Sequence, residues 1–280
     1  MINQNLKTFH IFYYPENKQA LFWFNKINNF LKKKLKIKAD LGKPDFVIAL
    51  GGDGTILEAA RKYHEYGSII LGLNLGNVGF LASVRNEKDF LKALADFLKG
   101  KHTIVERMML SVQVRRNGKI VFTAEALNEL VIKNPLGMVE LEAKISDHPV
   151  QHIRGTGILV ATATGSTAYN LSAHGPIVMP DIKCFIVTEL LDHNIPSPSL
   201  VVKYHNPVSI KVISFRERGI ISISKTGQKF DVLLMADGES FFPLKEKDEI
   251  TIKSSPHLVK FAEFEKNYFF KSLQEKFGFK

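Results

Sequence analysis

The sequence predicts an α/β N-terminal domain on a parallel sheet, followed by a β-rich C-terminal domain. Three observations carry that prediction. Up to about residue 100, short apolar runs alternate with helix-period patterns, the order that winds a parallel sheet. Beyond Gly100 the helical period gives way to strand-like segments. An "NG" pair at Asn117 and Gly118 sits between two of them, a strong short-range signal of a hairpin. The expected division is 1–102 for the α/β domain, 103–255 for the β-rich domain, and 256–280 for a C-terminal segment that returns to the first domain.

In chain order, the first three strands are expected at 9–13, 46–50 and 69–73, each an apolar run too short for a helix. Helical patterns lie between and after them, at 21–35, 56–64 and 87–98. Residues 103–115 and 119–133 then form the two arms of the hairpin. Further strands are expected at 139–145, 157–162, 208–214, 220–225, 230–235 and 249–253. The last segment, "EFEKNYFFKSLQEKFGFK", reads as a helix with Phe264, Tyr268 and Leu273 on one side. Neither an internal repeat nor a low-complexity linker interrupts the pattern.

Composition narrows the setting. A chain of 280 residues, 45% hydrophobic and 24% charged, has enough apolar material for a substantial core. It contains no run of 18 apolar residues, and "MINQNLKTFHIFYY" lacks the basic-then-apolar order of a signal peptide, so a cytoplasmic protein without a membrane partner is expected. The lone Cys184 excludes an intrachain disulfide framework and reads as a small buried residue. The net charge of +10 comes from scattered lysines. Their densest cluster, "LKKKLKIK" at 31–38, falls at an expected helix end, where cations are favoured, so no nucleic-acid partner is expected. The same positive field attracts polyanionic small molecules such as nucleoside triphosphates.

The stretch "VIALGGDGTILEAA", 47–60, joins a buried strand to a helix through a glycine turn. Gly51, Gly52 and Gly54, with Thr55 behind them, make a phosphate loop: no side chain blocks the backbone, and the first helical turn has unpaired N–H groups. Asp53 stands in the middle of it. A carboxylate ~4 Å from a phosphate oxygen is repelled by ~4 kcal/mol at an effective dielectric of 20, so the acid is either a turn residue capping the helix or a chemical participant. A second glycine turn, "LGLNLGNVGFLASV" at 71–84, is not a dinucleotide fingerprint, since Gly72 and Gly76 are four apart. It follows the adjacent parallel strand, so both turns belong at the carboxyl edge of the sheet, where open, Rossmann-like α/β folds bind ligands.

In the β-rich half, Asn128 and Glu129 interrupt an apolar strand; by themselves they read as a strand end or turn. "TGSTAYNLSAHG" is more distinctive. Thr164, Gly165, Ser166 and Thr167 gather hydroxyls and amides at a strand-to-helix junction, and Tyr169 adds an aromatic face with a polar tip, suited to a nucleoside. His148 and His152 are four apart beside Asp147, but Pro149 between them opposes the helix that would aim both at a metal, so no protein metal site is expected there.

In order and spacing, "GGDGT" at 51–55, "GLNLGNVGFL" at 72–81, "LNE" at 127–129 and "TGSTAYNLSAHGPIV" at 164–178 resemble the NAD kinases, over most of the chain. "GGDGT" alone is shared with diacylglycerol and sphingosine kinase-like enzymes, and a similar loop occurs in phosphofructokinases. The resemblance implies transfer of the γ-phosphate of ATP, or of another phosphoryl donor, to the 2′-hydroxyl of the adenosine ribose of NAD. It implies that Asp53 is the base taking the hydroxyl proton, that Gly54 faces the pyrophosphate, and that Asn128 and Glu129 hold the nucleotide. Thr167, Ala168, Tyr169, Asn170, Leu171 and Ser172 would line the adenosine pocket, with Thr164, Arg154 and Thr156 also contacting substrate. Mg²⁺ or another divalent cation would arrive mainly on the ATP phosphates, and the chain would self-associate as a homodimer or homotetramer. Thr156 replaces an aspartate usual in the family, Ala163 a proline, His174 a glycine, and Glu239 the amide of a D-G-Q motif. A lipid or sugar kinase using the same loop, or a non-catalytic NAD-sensing module, are the alternatives.

Overall fold

Strands β1 (Thr8–Phe12), β2 (Lys38–Ala39), β3 (Phe46–Gly51) and β4 (Ile69–Asn74) pair in parallel in the order β4-β3-β1-β2. Every residue of β3 is buried, as expected of a parallel strand covered on both faces. On one face Phe46, Ile48 and Leu50 join Phe9, Ile11 and Leu71 in a core completed by Trp23 and Ile27 of helix α1 (Lys18–Asn29) and by Phe90, Leu94 and Phe97 of helix α3 (Phe90–Leu98). Helix α2 (Asp53–Tyr63) lies between them in sequence and buries Ile56, Ala59, Ala60 and Tyr63. The computed structural model describes residues 6–34, 37–192, 197–219, 221–222, 227 and 229–278.

Helix boundaries differ from the periodic pattern for local reasons. The Asn17 side chain accepts the amides of Gln19 and Ala20, so α1 starts at Lys18, ahead of residue 21, and its end widens into a π-helical turn, Phe30–Lys34. Residues 35 and 36 of the expected first helix and lysine cluster lie outside the described residues. Likewise α2 begins at Asp53, three residues before the first apolar position of its pattern.

The strand-rich unit comprises 108–256, and the other unit 1–107 with 257–280. β5 (Thr103–Arg116) and β6 (Lys119–Ala126) form the expected hairpin, with Asn117 and Gly118 both at positive φ, 51° and 76°, as a two-residue primed turn requires. The second arm is shorter than its apolar pattern. Pairing with β5 stops at Ala126, and β7 (Glu129–Lys133) pairs instead with β9 (His148–Thr162) and β15 (Val232–Ala236). The Asp237 carboxylate causes the break by accepting the amides of Leu127, Asn128 and Glu129 at 2.8, 2.8 and 3.1 Å.

β8 (Val139–Ile145) lies where expected and pairs with β9 and β12 (Val208–Phe215). β10 (Cys184–Asp192) and β11 (Leu200–Lys203) are strands the pattern did not suggest, and β10 pairs with β9. The expected strand 230–235 is two, β14 (Lys229–Phe230) and β15, because Asp231 turns away to accept the amides of Arg218 and Gly219. β14 pairs with β13 (Ile221–Ser222); residues 220 and 223–225 of that expected strand lie outside the described residues. β16 (Ser240–Leu244) closes a hairpin on β15.

β17 (Glu249–Glu263) runs ten residues past its expected end at 253. Its first part pairs with β12 and its last part, Lys260 and Phe261, runs parallel to β4. In helix α5 (Tyr268–Phe277), Tyr268 and Ser272 are buried one turn apart, whereas Phe264 precedes the helix and Leu273 is only half-buried. Cys184 is buried as expected, and burial pushes its thiol up. Among the described residues no helix is long and apolar enough to cross a membrane.

Candidate active site

The two glycine turns leave adjacent parallel strands from registered positions, since Gly51 at the end of β3 pairs with Asn74 at the end of β4. They meet there. The amide of Leu75 donates to the Gly51 carbonyl at 3.2 Å, and the Asn74 side chain shapes its own turn by bonding Gly76 and the Asn77 carbonyl. Asp53, first residue of α2, reaches across: its Oδ2 accepts the Phe80 amide at 2.7 Å and its Oδ1 the Leu81 amide at 3.2 Å. A Cβ at Gly79 would fall 2.0 Å from Asp53 Oδ1, so only glycine lets the carboxylate seat against this loop.

Asp53 is half-buried, and its two amide bonds engage one lone pair on each oxygen, leaving capacity for a further donor. The loop glycines divide by purpose. A Cβ on Gly51 would strike Thr55 Oγ1 at 2.4 Å, so packing requires that glycine. A Cβ on Gly52 or Gly54 would meet nothing within 4 Å, and Gly52 has ordinary extended geometry, φ −82° and ψ −174°. Neither packing nor backbone strain explains those two glycines. They leave bare backbone at the N-terminus of α2, which carries partial positive charge.

Sequence reasoning missed what fixes the second loop. The hydroxyls of Ser272 and Tyr268 on α5 donate to the Gly79 carbonyl at 2.9 and 3.4 Å, and the Arg85 guanidinium binds Ser272 Oγ, the Tyr268 carbonyl and Glu275. Burial, partly offset by the Arg85 bonds, pushes the Tyr268 phenol up to about 12, so it stays a donor.

In the strand-rich unit, the Asn-Glu pair and the "TGSTAY" block meet. Thr162 donates from its amide to the Asn128 carbonyl and from Oγ1 to the Leu127 carbonyl, at 2.9 and 2.6 Å. A Cβ at Gly165 would lie 2.1 Å from the Asn128 carbonyl oxygen, so that glycine is fixed by close approach. Glu129 is buried. Burial and the nearby Asp237 push its carboxyl up to about 8 against the lowering effect of the Tyr169 N–H, and its Oε2 has no partner among the described residues. Asp237 was missed because its role lies across 108 to 110 residues of sequence. The signal was its short acid in an "ADG" turn, where both Asp237 and Gly238 take positive φ.

The hydroxyl run is partly architectural. Ser166 bonds Val178 in both directions, and Thr167 Oγ1 donates to the Thr164 carbonyl at 3.3 Å. Asn170 is fully buried, its Nδ2 on the carbonyls of Ser166 and Pro176 and its Oδ1 on Thr188, so its side chain braces the loop. Tyr169 and Ser172 are exposed, while Ala168 and Leu171 are half-buried, and Lys133 Nζ sits 5.6 Å from the Tyr169 ring centroid. Arg154 and Thr156 lie earlier on β9. Arg154 lines a cavity of about 350 Å³ with Glu140, Arg216, Arg218 and Asp231, and that lining includes no residue of the "TGSTAY" block. Asp147, His148 and His152 lie at the β8–β9 turn and on β9, with His152 bonded to Glu140 at 2.9 Å.

Two family models match the chain, described as the ATP-NAD kinase N-terminal domain over 14–102 and the ATP-NAD kinase C-terminal domain over 127–264. Among similar proteins are the NAD kinase of Natranaerobius thermophilus, 35% identical over 83% of this chain and 77% of that one, and the NAD kinase of Symbiobacterium thermophilum, 36% identical over 84% and 79%. A yeast NADH kinase solved with NADH superposes with a TM-score of 0.84 at 18% identity, covering 99% of this chain and 89% of that one. An NAD kinase from Archaeoglobus fulgidus solved with ATP gives 0.72 at 22% identity, covering 96% and 98%.

Proposed function

Because the chain belongs to the ATP-NAD kinase family, we propose that it transfers the γ-phosphate of ATP to the 2′-hydroxyl of the adenosine ribose of NAD, giving NADP. The observation that carries this is Asp53, a carboxylate clamped by two amides beside Gly52 and Gly54, whose bare backbone no packing contact among the described residues requires. A carboxylate among phosphates is repelled, and its use as a base is what makes that cost worthwhile. As general base, Asp53 takes the 2′-hydroxyl proton as that oxygen attacks phosphorus, and the bond from phosphorus to the ADP oxygen breaks. Gly51, Gly52, Gly54 and Thr55 form the phosphate loop, with the Gly54 amide toward the NAD pyrophosphate.

Asn128 and Glu129 hold the nucleotide in this reading, and the partnerless Oε2 of Glu129 is the atom a nucleotide polar group would satisfy. Thr164, Thr167, Ala168, Tyr169, Leu171 and Ser172 line the adenosine pocket, with Asn170 bracing it from behind. Arg154 and Thr156 belong to substrate recognition through a neighbouring copy of the chain, consistent with a homo-oligomer; a cytoplasmic setting belongs to the same proposal. The donor set suits a hard divalent cation such as Mg²⁺ held chiefly by ATP, since the phosphate loop offers one carboxylate and no softer ligand. When bound, that ion neutralises phosphate charge.

The lipid or sugar kinase alternative is disfavoured because the family match extends through 127–264, far beyond the shared loop, and an NAD sensor has no use for a clamped carboxylate. The test is incubation of the purified chain with NAD, ATP and Mg²⁺. Appearance of NADP with loss of ATP is expected; NADP-free mixtures under conditions where a known NAD kinase works would reject the assignment.

A further inference from the structure

The carbonyl of Gly79 and the N–H of Phe80 belong to one peptide group, and that group is held from both sides. Ser272 Oγ donates to its carbonyl at 2.9 Å, and its N–H donates to Asp53 Oδ2 at 2.7 Å. The peptide is planar and rigid, so fixing its carbonyl fixes the direction of its N–H. Gly79 adds no steric resistance to rotation of that plane, and no larger residue fits because of the 2.0 Å approach to Asp53. An external hold is therefore needed. Ser272 is fully buried and is itself held, because Arg85 donates to its Oγ, bonds the Tyr268 carbonyl at 3.2 Å, pairs with Glu275 and lies 4.5 Å over the Tyr268 ring.

The bland reading of Ser272 is a helical serine bonding back one turn, and its Oγ does lie 3.1 Å from the Tyr268 carbonyl. That reading leaves the shorter contact to Gly79 unexplained. A hydroxyl has one proton, and donation from Arg85 into the oxygen strengthens the bond that proton makes in turn. We infer that Ser272 is a positioning residue for phosphoryl transfer: through the Gly79–Phe80 peptide it sets the orientation of the Asp53 carboxylate, and Arg85 sets Ser272. The inference rests on the reading of Asp53 as the base.

The test is steady-state kinetics on the full chain with NAD, ATP and Mg²⁺. Ser272→Ala is expected to lower kcat by about tenfold, the worth of one hydrogen bond, with KM for NAD changed by less than about twofold. Ser272→Thr, which keeps the hydroxyl, should recover most of the rate. In an Asp53→Asn background, Ser272→Ala should cost nothing further. A wild-type kcat in Ser272→Ala, or an equal loss in both backgrounds, overturns the inference while leaving the base in place; near-normal kcat in Asp53→Asn alone overturns the base reading instead. Arg85→Lys keeps the charge and loses the planar fork. It should repeat the loss in kcat without loss of NAD affinity, and a wild-type rate there counts against the inference even if Ser272→Ala does not fold.

Discussion

Asp53 carries two amide hydrogen bonds that an asparagine can only half keep, because an amide group offers one acceptor oxygen. Asp53→Asn should lower kcat by ~10²–10⁴-fold, the usual worth of a positioned base. KM should change little, because the proton moves only as the new bond forms. Retained turnover with lost nucleotide binding would make the acid a turn residue. Glu129 permits a test without substrate. Its carboxyl sits at about 8 in the folded chain against 4.5 for the free side chain, so the folded state holds the proton more tightly. That contribution to stability is complete below about 4.5 and is lost as pH rises through about 8. Denaturation midpoints of the ligand-free chain should fall across that window, and Glu129→Gln should flatten the decline. Parallel pH series for the two proteins would refute the assignment if their slopes agree.

At the scale of elements, β1, β3 and β4 were legible as short apolar runs, near-continuous in "FVIAL" where the strand is buried on both faces, whereas β2, two exposed residues, was not. Strands at the margin of pairing were not. β16 contains Pro243, which sequence reasoning treats as a break, and among the described residues it pairs with β15 alone, where a missing N–H is tolerated. The end of β6 and the start of β7 read as one apolar arm because the residue that parts them, Asp237, arrives from another hairpin. The candidate site was legible as two loops and two blocks, but not in its supports. Gly79 looks like any turn glycine until Asp53 is seen beside it, and α5 had no visible link to either. Asp237→Asn tests the element-level account. It replaces part of a buried acceptor with a donor that faces amide donors, and should cost about 1–3 kcal/mol, read as a lowered denaturant midpoint at pH 7. An unchanged midpoint would remove Asp237 as the cause of the β6–β7 break.

For the whole molecule, the strand-rich unit, and the place of Arg154 in a cavity whose lining lacks the "TGSTAY" residues, lead us to predict an assembly of copies. Light scattering at micromolar concentration should give a dimer or tetramer, and a strictly monomeric chain with full activity would contradict it. The placement of α5 has a further consequence, in the order of manufacture. The acid proposed as base is made before its support, since the serine hydroxyl that holds the loop beside it comes 193 residues after the carbonyl it binds. At ~5–20 residues per second of synthesis, a ribosome needs roughly 10–40 seconds to travel from one to the other. During that interval the nascent chain holds its glycine loop without the clamp, so a translation product broken off before α5 carries all four sequence blocks, 51–55, 72–81, 127–129 and 164–178, and yet lacks the hydroxyl that steadies Asp53's loop. In the proposed reading, a steady base therefore waits on the synthesis of α5.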